Sequence, residues 1–214
     1  MRESAAGDDP GDDDNVAYDA ALFERLEGTG TGETLRFWES PNPAVIVGHS
    51  TVVQRDVHED ACASDGVPIV RRTSGGGTVV VGPGCLNYVL ALSLDRRPEL
   101  RDVARSYRII LEPIVRGLNV PGLRVCGVGD LVLNGRKVSG SAQRRGRRAL
   151  LHHGTLLYDF DLSLIARYLK EPARQPAYRA GRPHLTFVAN APLAIEAIKA
   201  RIARAWSQWR FIRA

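Results

Sequence analysis

Lysine is nearly missing from this chain. Of its 29 basic residues only Lys137, Lys170 and Lys199 are lysine, and all the others are arginine. Against that bias, a cation kept as a compact ammonium instead of a planar fork stands out. Lys170 and Lys199 lie in polar, helical-looking stretches; Lys137 does not. Cysteine is scarce too. Cys62, Cys85 and Cys126 are an odd number without metal-ligand spacing, which argues against a disulfide framework and points to a reducing, cytoplasmic setting. No apolar run approaches the roughly 20 residues that cross a bilayer, so no membrane partner is expected. The opening stretch MRESAAGDDPGDDDN has neither the apolar centre of a secretory signal nor the basic character of a transit peptide. Helix-turn-helix, zinc-finger and stacking-aromatic signatures are also missing, so the arginines do not indicate a nucleic-acid partner.

What is present is ordinary globular composition, 44% hydrophobic and 25% charged over 214 residues, enough for one substantial core. Charge is uneven. Residues 1–15 carry Glu3 and five aspartates against Arg2, about −5, which leaves about +10 on the rest of a chain whose net charge is +5. Residues 1–14 read as a disordered acidic tail, and residues 15–214 as a single basic domain suited to an acidic or phosphate-bearing partner.

Periodicity predicts a helix over NVAYDAALFERLEG, capped by Asn15 and stopped by Gly28. Strands are expected at ETLRFWES, AVIVGHS, VPIVRR and LNYVLALSL, with a helical stretch around RDVHEDACASDG. The longest helix candidate, RPELRDVARSYRIILEPIVRGL, contains Pro113, which is expected to kink or interrupt it. Asn134-Gly135 between two alternating runs signals a two-residue hairpin turn. RALLHHGTLLYDF continues as a strand, DLSLIARYL as a short helix opening at Asp161, residues 171–190 as a polar loop, and PLAIEAIKARIARAWSQWRF as a closing helix. The expected class is α+β, a mixed, largely antiparallel sheet flanked by helices.

Three stretches are chemically loaded. In RRTSGGGTVVVGPG, three consecutive glycines precede a strand, not the helix N-terminus that a dinucleotide fold or P-loop requires. Bare backbone N–H groups there can approach an anion closely, Arg72 can supply a bidentate fork, and Thr73 and Ser74 add hydroxyls. In GDLVLNGRKVSGSAQ, Lys137 is followed by the small residues Ser139, Gly140, Ser141 and Ala142, which leave room for a ligand around an ammonium. In LLHHGTLLYDF, His152 and His153 point to opposite faces of a strand, so at most one faces a given site. The histidines show no metal-binding pattern.

In this order and spacing, RRTSGGGTVV, GDLVLNGRKVSGSAQ and LHHGTLL resemble the catalytic domain of lipoate–protein ligases, a superfamily shared with biotin–protein ligases and octanoyltransferases. The likeness covers roughly residues 15–190. It implies a biotin/lipoate-ligase type of fold and a two-step reaction. Lipoate or octanoate would be activated with ATP and Mg²⁺ to an acyl-adenylate, and the acyl group passed to a lysine of an acidic lipoyl-acceptor domain. By motif position, Arg72, Ser74, Gly75, Gly76 and Gly77 would line the acyl and phosphate groups, with Thr78, Val79 and Val80 along the nucleotide. Lys137 would match the essential lysine, touching carboxylate and α-phosphate, with Ser139 and Gly140 beside it. Asp130 would match an aspartate on the nucleotide side, acting through Mg²⁺, and His153 with Gly154 would close the site.

Two departures accompany the likeness. Ligases of this type often carry a C-terminal accessory domain, whereas this sequence ends after one more predicted helix, so that domain is expected to be absent or supplied by a separate subunit. Cys85 and Gly129 stand where better-known ligases have asparagine. The same superfamily offers a second reading, an octanoyltransferase or amidotransferase forming a thioester on Cys126 without ATP. The third reading is a non-catalytic module that binds lipoyl domains.

Overall fold

The computed structural model describes residues 11–211, with side chains described through Trp209. Most of the acidic tail expected over residues 1–14 therefore lies outside the described residues. The first helix, α1 (Asp12–Thr29), starts three residues before the expected cap, with Asp12, Asp13 and Asp14 in its first turn, where acidic groups oppose the positive end of the helix dipole. It runs past Gly28 and ends at Gly30, which takes the left-handed conformation at φ 69°. Its buried residues Asn15, Asp19, Leu22, Phe23 and Leu26 form one helical stripe.

The strands divide into two sheets instead of the single mixed one expected. The larger is antiparallel throughout, with β1 (Thr34–Trp38), β5 (Cys85–Ser93), β9 (Ala149–Leu157), β8 (Arg136–Arg145), β7 (Asp130–Leu133) and β6 (Leu123–Cys126) in that spatial order. The smaller places β2 (Ala44–Val47) between a parallel β3 (Ile69–Arg71) and an antiparallel β4 (Val79–Val81). The α+β class holds, and the one parallel pair is what makes the whole mixed. β5 is buried at all nine positions because both of its faces are covered.

On one face of the large sheet, Leu86, Tyr88, Leu90 and Leu92 join a core with α4 (Val103–Leu118) and α7 (Ile195–Phe211). On the other, Val89 and Ala91 pack with Leu22, Phe23 and Leu26 of α1. The small sheet builds its own core from Val45, Val47, Val80 and Val81 with Phe160 and Phe187.

Pro113 does not interrupt α4; the break falls earlier, at Asp102, whose side chain accepts the Arg105 N–H and caps the helix after a 3₁₀ turn at Pro98–Arg101. The helical stretch expected at 55–66 is two short pieces, α2 (Val53–Asp56) and α3 (Glu59–Asp65). The Asn134-Gly135 turn joins β7 to β8 with both residues at positive φ, 50° and 76°. After α5 (Ser163–Tyr168), the segment expected as a loop contains a 3₁₀ turn at Ala177–Arg179 and a four-residue helix, α6 (His184–Phe187), which buries His184 and Phe187.

Candidate active site

Strand register sets the site. Across β1, β5, β9 and β8, one row aligns Trp38, Asn87, Thr155 and Gly140, and the next aligns Arg36, Val89, His153 and Ala142. Because side chains alternate along a strand, both rows stand on the face turned toward α1 and the small sheet. Together with Val16 and Asp19 of α1, and Ile46, Val79 and Val81 of the small sheet, they wall a cleft of about 810 Å³. A second compartment of about 1020 Å³ adjoins it, lined by Asp56, Asp130, Ser139, Lys170, Arg174 and Phe187 among others. Gly77, Thr78, Val79, Lys137, Gly140 and Thr155 border both. Lys137 therefore stands at the junction of two partly apolar compartments, a slot and a chamber, of which the chamber holds more charged side chains.

The ammonium is set there by its neighbours. Lys137 Nζ lies 2.8 Å from Asp130 Oδ1, and Tyr178 donates its hydroxyl to Asp130 Oδ2 at 2.6 Å. Burial first, and then that contact, hold the Tyr178 phenol far above its usual range. A Cβ on Gly140 would sit 2.8 Å from Nζ, so the glycine makes the space in which the lysine lies.

The glycine loop works differently from the expectation. Arg72 is 7% exposed and spends its fork on the protein. Nη2 donates to the Gly75 and Gly77 carbonyls at 2.9 and 2.6 Å, and Nε to Ser74 Oγ at 3.0 Å. Burial lowers its pKa to about 10, still cationic at neutral pH. Arg72 shapes the loop and contributes wall, while Gly77 and Thr78 supply the backbone that faces the cleft. Gly75 and Gly76 do not line either compartment among the described residues; Gly76 makes the bend at φ 89°, with Arg72 and Ala142 within 3.2 Å of where a Cβ would stand. Ser74 is fully buried behind the wall, 2.6 Å from His153 Nε2.

His153 and Gly154 both line the cleft, as expected of the pair. Burial first, then the Arg72 charge, pushes His153 down to about 3, so the ring is neutral. His152 faces the opposite core. Gly154 is bare because a Cβ would collide with the Tyr88 hydroxyl. Val80 borders only the second compartment.

Asp19, Trp38 and Asn87 are among the wall residues that escaped the sequence reading. Asp19 accepts from Arg36 at 2.7 Å and from Trp38 Nε1 at 3.1 Å. Desolvation outweighs those contacts and raises its pKa to about 6. The available signal was a polar residue among mostly apolar buried positions, Asp19 in α1 and Asn87 in β5.

Residues 13–206 match the lipoyl protein ligase A/B catalytic domain. The chain belongs to that family. Within it, the chain is 32% identical over 200 residues to a putative lipoate-protein ligase A of Aeropyrum pernix, covering 92% of this chain and 72% of that one. It is 26% identical over 187 residues to the octanoyltransferase LipM of Clostridioides difficile, covering 78% and 69%. It spans 45% of the probable lipoate-protein ligase A of Mycoplasma genitalium. Among solved structures it resembles the bi-partite lipoate protein ligase of Thermoplasma acidophilum, described with its E2 lipoyl domain, at a TM-score of 0.80 and 25% identity over 95% of this chain and 81% of that one. A lipoate-protein ligase A bound with ATP gives 0.76 and 25%, covering 91% and 79%. Ligases and octanoyltransferases thus both stand among its relatives.

The cysteines bear on that choice. Cys126 lines neither compartment, and its Sγ lies 2.7 Å from Arg124 Nη1 at the edge of the large sheet. Burial pushes the Cys62 and Cys85 thiols up. Gly129, the other departure, backs directly onto the Tyr107 ring. For a resident metal the residues do not fit. Among the described residues no group of three or more His, Cys, Asp or Glu side chains comes together to hold an ion, and both Asp130 oxygens are engaged. No described helix is long and apolar enough to cross a membrane.

Proposed function

We propose that this domain is the catalytic part of an ATP-dependent lipoate–protein ligase. The observation that carries the reading is Lys137 bordering both compartments at once. A single ammonium with three donors can serve an acyl carboxylate reaching it from the slot and an α-phosphate reaching it from the chamber. Similarity to an ATP-bound ligase supports a nucleotide in the chamber.

In the first step a carboxylate oxygen of lipoate or octanoate attacks the α-phosphorus, and the bond to the pyrophosphate oxygen breaks. Lys137 offsets the charge that gathers on the phosphoryl oxygens, and Gly77 and Thr78 bring main chain alongside. The acyl chain lies between the two sheets, where apolar walls exclude water from a hydrolysable anhydride. In the second step the neutral amine of an acceptor lysine attacks the acyl carbon; AMP leaves with the electron pair, and the amine loses a proton. Asp56 and Asp130 are the carboxylates lining that chamber; a divalent ion would reach it only as the companion of the nucleotide phosphates, whose charge it would offset.

The acceptor is proposed to be an acidic, lysine-bearing lipoyl domain, steered by the basic body. The Thermoplasma neighbour, bi-partite and described with a lipoyl domain, supports that acceptor and a separate accessory subunit. The octanoyltransferase reading draws on the LipM relatives, yet it needs a thiol facing the acyl slot, and Cys126 stands outside it. The test is to incubate the protein with lipoate or octanoate and ATP, with the acceptor and any partner subunit added in turn. Released pyrophosphate and protein-bound acyl-AMP by mass spectrometry are expected. Acyl transfer without ATP, abolished by Cys126→Ala, would replace this reading with the thioester one.

A further inference from the structure

Asn87 sits in the acyl slot with a hydrogen-bond donor that the protein does not use. The residue is 5% exposed, lines the slot, and its Nδ2 has no acceptor among the described residues. The eight other residues of β5 are Cys, Leu, Tyr, Val, Ala or Ser, so an amide here is the conspicuous exception in the strand. A buried donor without a partner is costly, and that cost is relieved only by a ligand or water that can accept.

Its depth in the slot says which part of a ligand it meets. Asn87 aligns with Thr155, and Thr155 with Gly140, whose Cα carries the space occupied by the Lys137 ammonium. Two inter-strand spacings separate Gly140 from Asn87, about 10 Å. That is close to the reach of an extended eight-carbon acid whose carboxyl is held at Lys137. The amide thus faces the far end of the chain, with the Trp38 ring beside it in the same row.

We propose that Asn87 is the residue that makes this slot prefer a sulfur-bearing acyl chain over a plain one. A dithiolane at the end of the chain brings weak acceptors to Nδ2 and polarisable sulfur to the Trp38 ring. A hydrocarbon end brings neither and seals the donor away from water. The inference rests on the acyl-binding reading of the slot, not on the ATP step.

The test is direct binding of lipoate and of octanoate, by calorimetry without ATP, to the wild type and to Asn87→Leu, which keeps the γ-branched shape and removes the donor. Wild type is expected to favour lipoate, and the Leu variant to lose roughly tenfold of that preference, the worth of one buried hydrogen bond. Asn87→Ala is measured in parallel, with far-UV circular dichroism to verify folding, and is expected to shift the ratio the same way. An unchanged lipoate-to-octanoate ratio in the folded variants overturns the assignment. A ratio that shifts in a protein releasing no pyrophosphate with ATP, acceptor and partner subunit all present keeps Asn87 and removes the ligase reading instead. Failure of the wild type to bind either acid overturns both.

Discussion

His152 makes the fold acid-labile by a calculable amount. The ring is completely buried, between Tyr88 and Tyr107 at centroid distances of 6.1 and 5.7 Å. Gln143 orients it: its Oε1 accepts from Arg145 Nη1 at 2.7 Å and from Ser106 Oγ at 3.1 Å, so its Nε2 donates to His152 Nδ1 at 3.2 Å. Protonating Nδ1 would set two donors face to face, and burial pushes the pKa from 6.5 down to about 3. Above pH 6.5 the ring is neutral in both states and its contribution is complete. Between 6.5 and 3 the unfolded chain binds a proton that the native chain refuses, so stability is lost as pH falls, by about 1.4 kcal/mol per pH unit. From pH 7 to pH 5 that is about 2 kcal/mol. His153 acts in the same sense but borders the cleft. Asp19, raised to about 6, acts in the opposite sense: the native state holds its proton between about 4 and 6, and stability falls as pH rises through that window. His152→Asn isolates the term, since Asp19 and His153 are common to both proteins and the Asn carbonyl still accepts from Gln143. Urea unfolding at pH 8, 7, 6 and 5 should show a variant weaker at pH 8 but with a slope below pH 6 shallower by about 1.4 kcal/mol per unit. Parallel curves for the two proteins would refute the reasoning.

The other expectations concern the site. Lys137→Ala should reduce acyl-adenylate formation at least a hundredfold by mass spectrometry while changing stability by no more than about 1 kcal/mol, because its pair with Asp130 is partly exposed. Gly154→Ala drives a methyl into the Tyr88 hydroxyl and should cost about 1–3 kcal/mol in chemical denaturation, as overpacked cores do. Arg72→Lys keeps the charge but cannot span Gly75, Gly77 and Ser74 together; it should lower stability by about 3 kcal/mol and raise the KM for the acyl substrate. A melting curve unchanged in that variant would count against Arg72 as the loop's clamp.

Much of this was legible in the sequence because its signals are local. The Asn134-Gly135 hairpin, the alternation that turns His152 and His153 to opposite faces, and the small residues after Lys137 depend on neighbours within a few positions. The partition of the strands into two sheets is not local: β2 pairs with β3 and β4 across Ile69 and Val80, and nothing within AVIV announces those partners. The cleft wall was half-legible for the same reason. Gly77, Thr78, Lys137, Gly140 and His153 belong to motifs, whereas Asp19, Trp38 and Asn87 reach the cleft through α1 packing and strand register. The segment after residue 170 read as loop because its helical pieces are too short for periodicity to register.

The arginine bias has a physical counterpart in the fold. Arg72 holds two loop carbonyls, Arg97 meets Glu33 with both prongs of its fork, Arg145 joins Ser106, Gln143 and the Leu100 and Arg101 carbonyls, and Arg179 ties Glu171 to the Arg182 carbonyl. Each uses a planar fork where several fixed oxygens must be bridged, which a single ammonium cannot do. Lys137 has the opposite task. A guanidinium beside Asp130 would have its donors fixed in one plane, and it would need the room that Gly140 grants only to a slender chain. An ammonium holds Asp130 with one donor and has two left for what arrives from the slot and from the chamber. The lysine at 137 is thus a consequence of its position between two compartments, not a chance survivor in an arginine-rich chain.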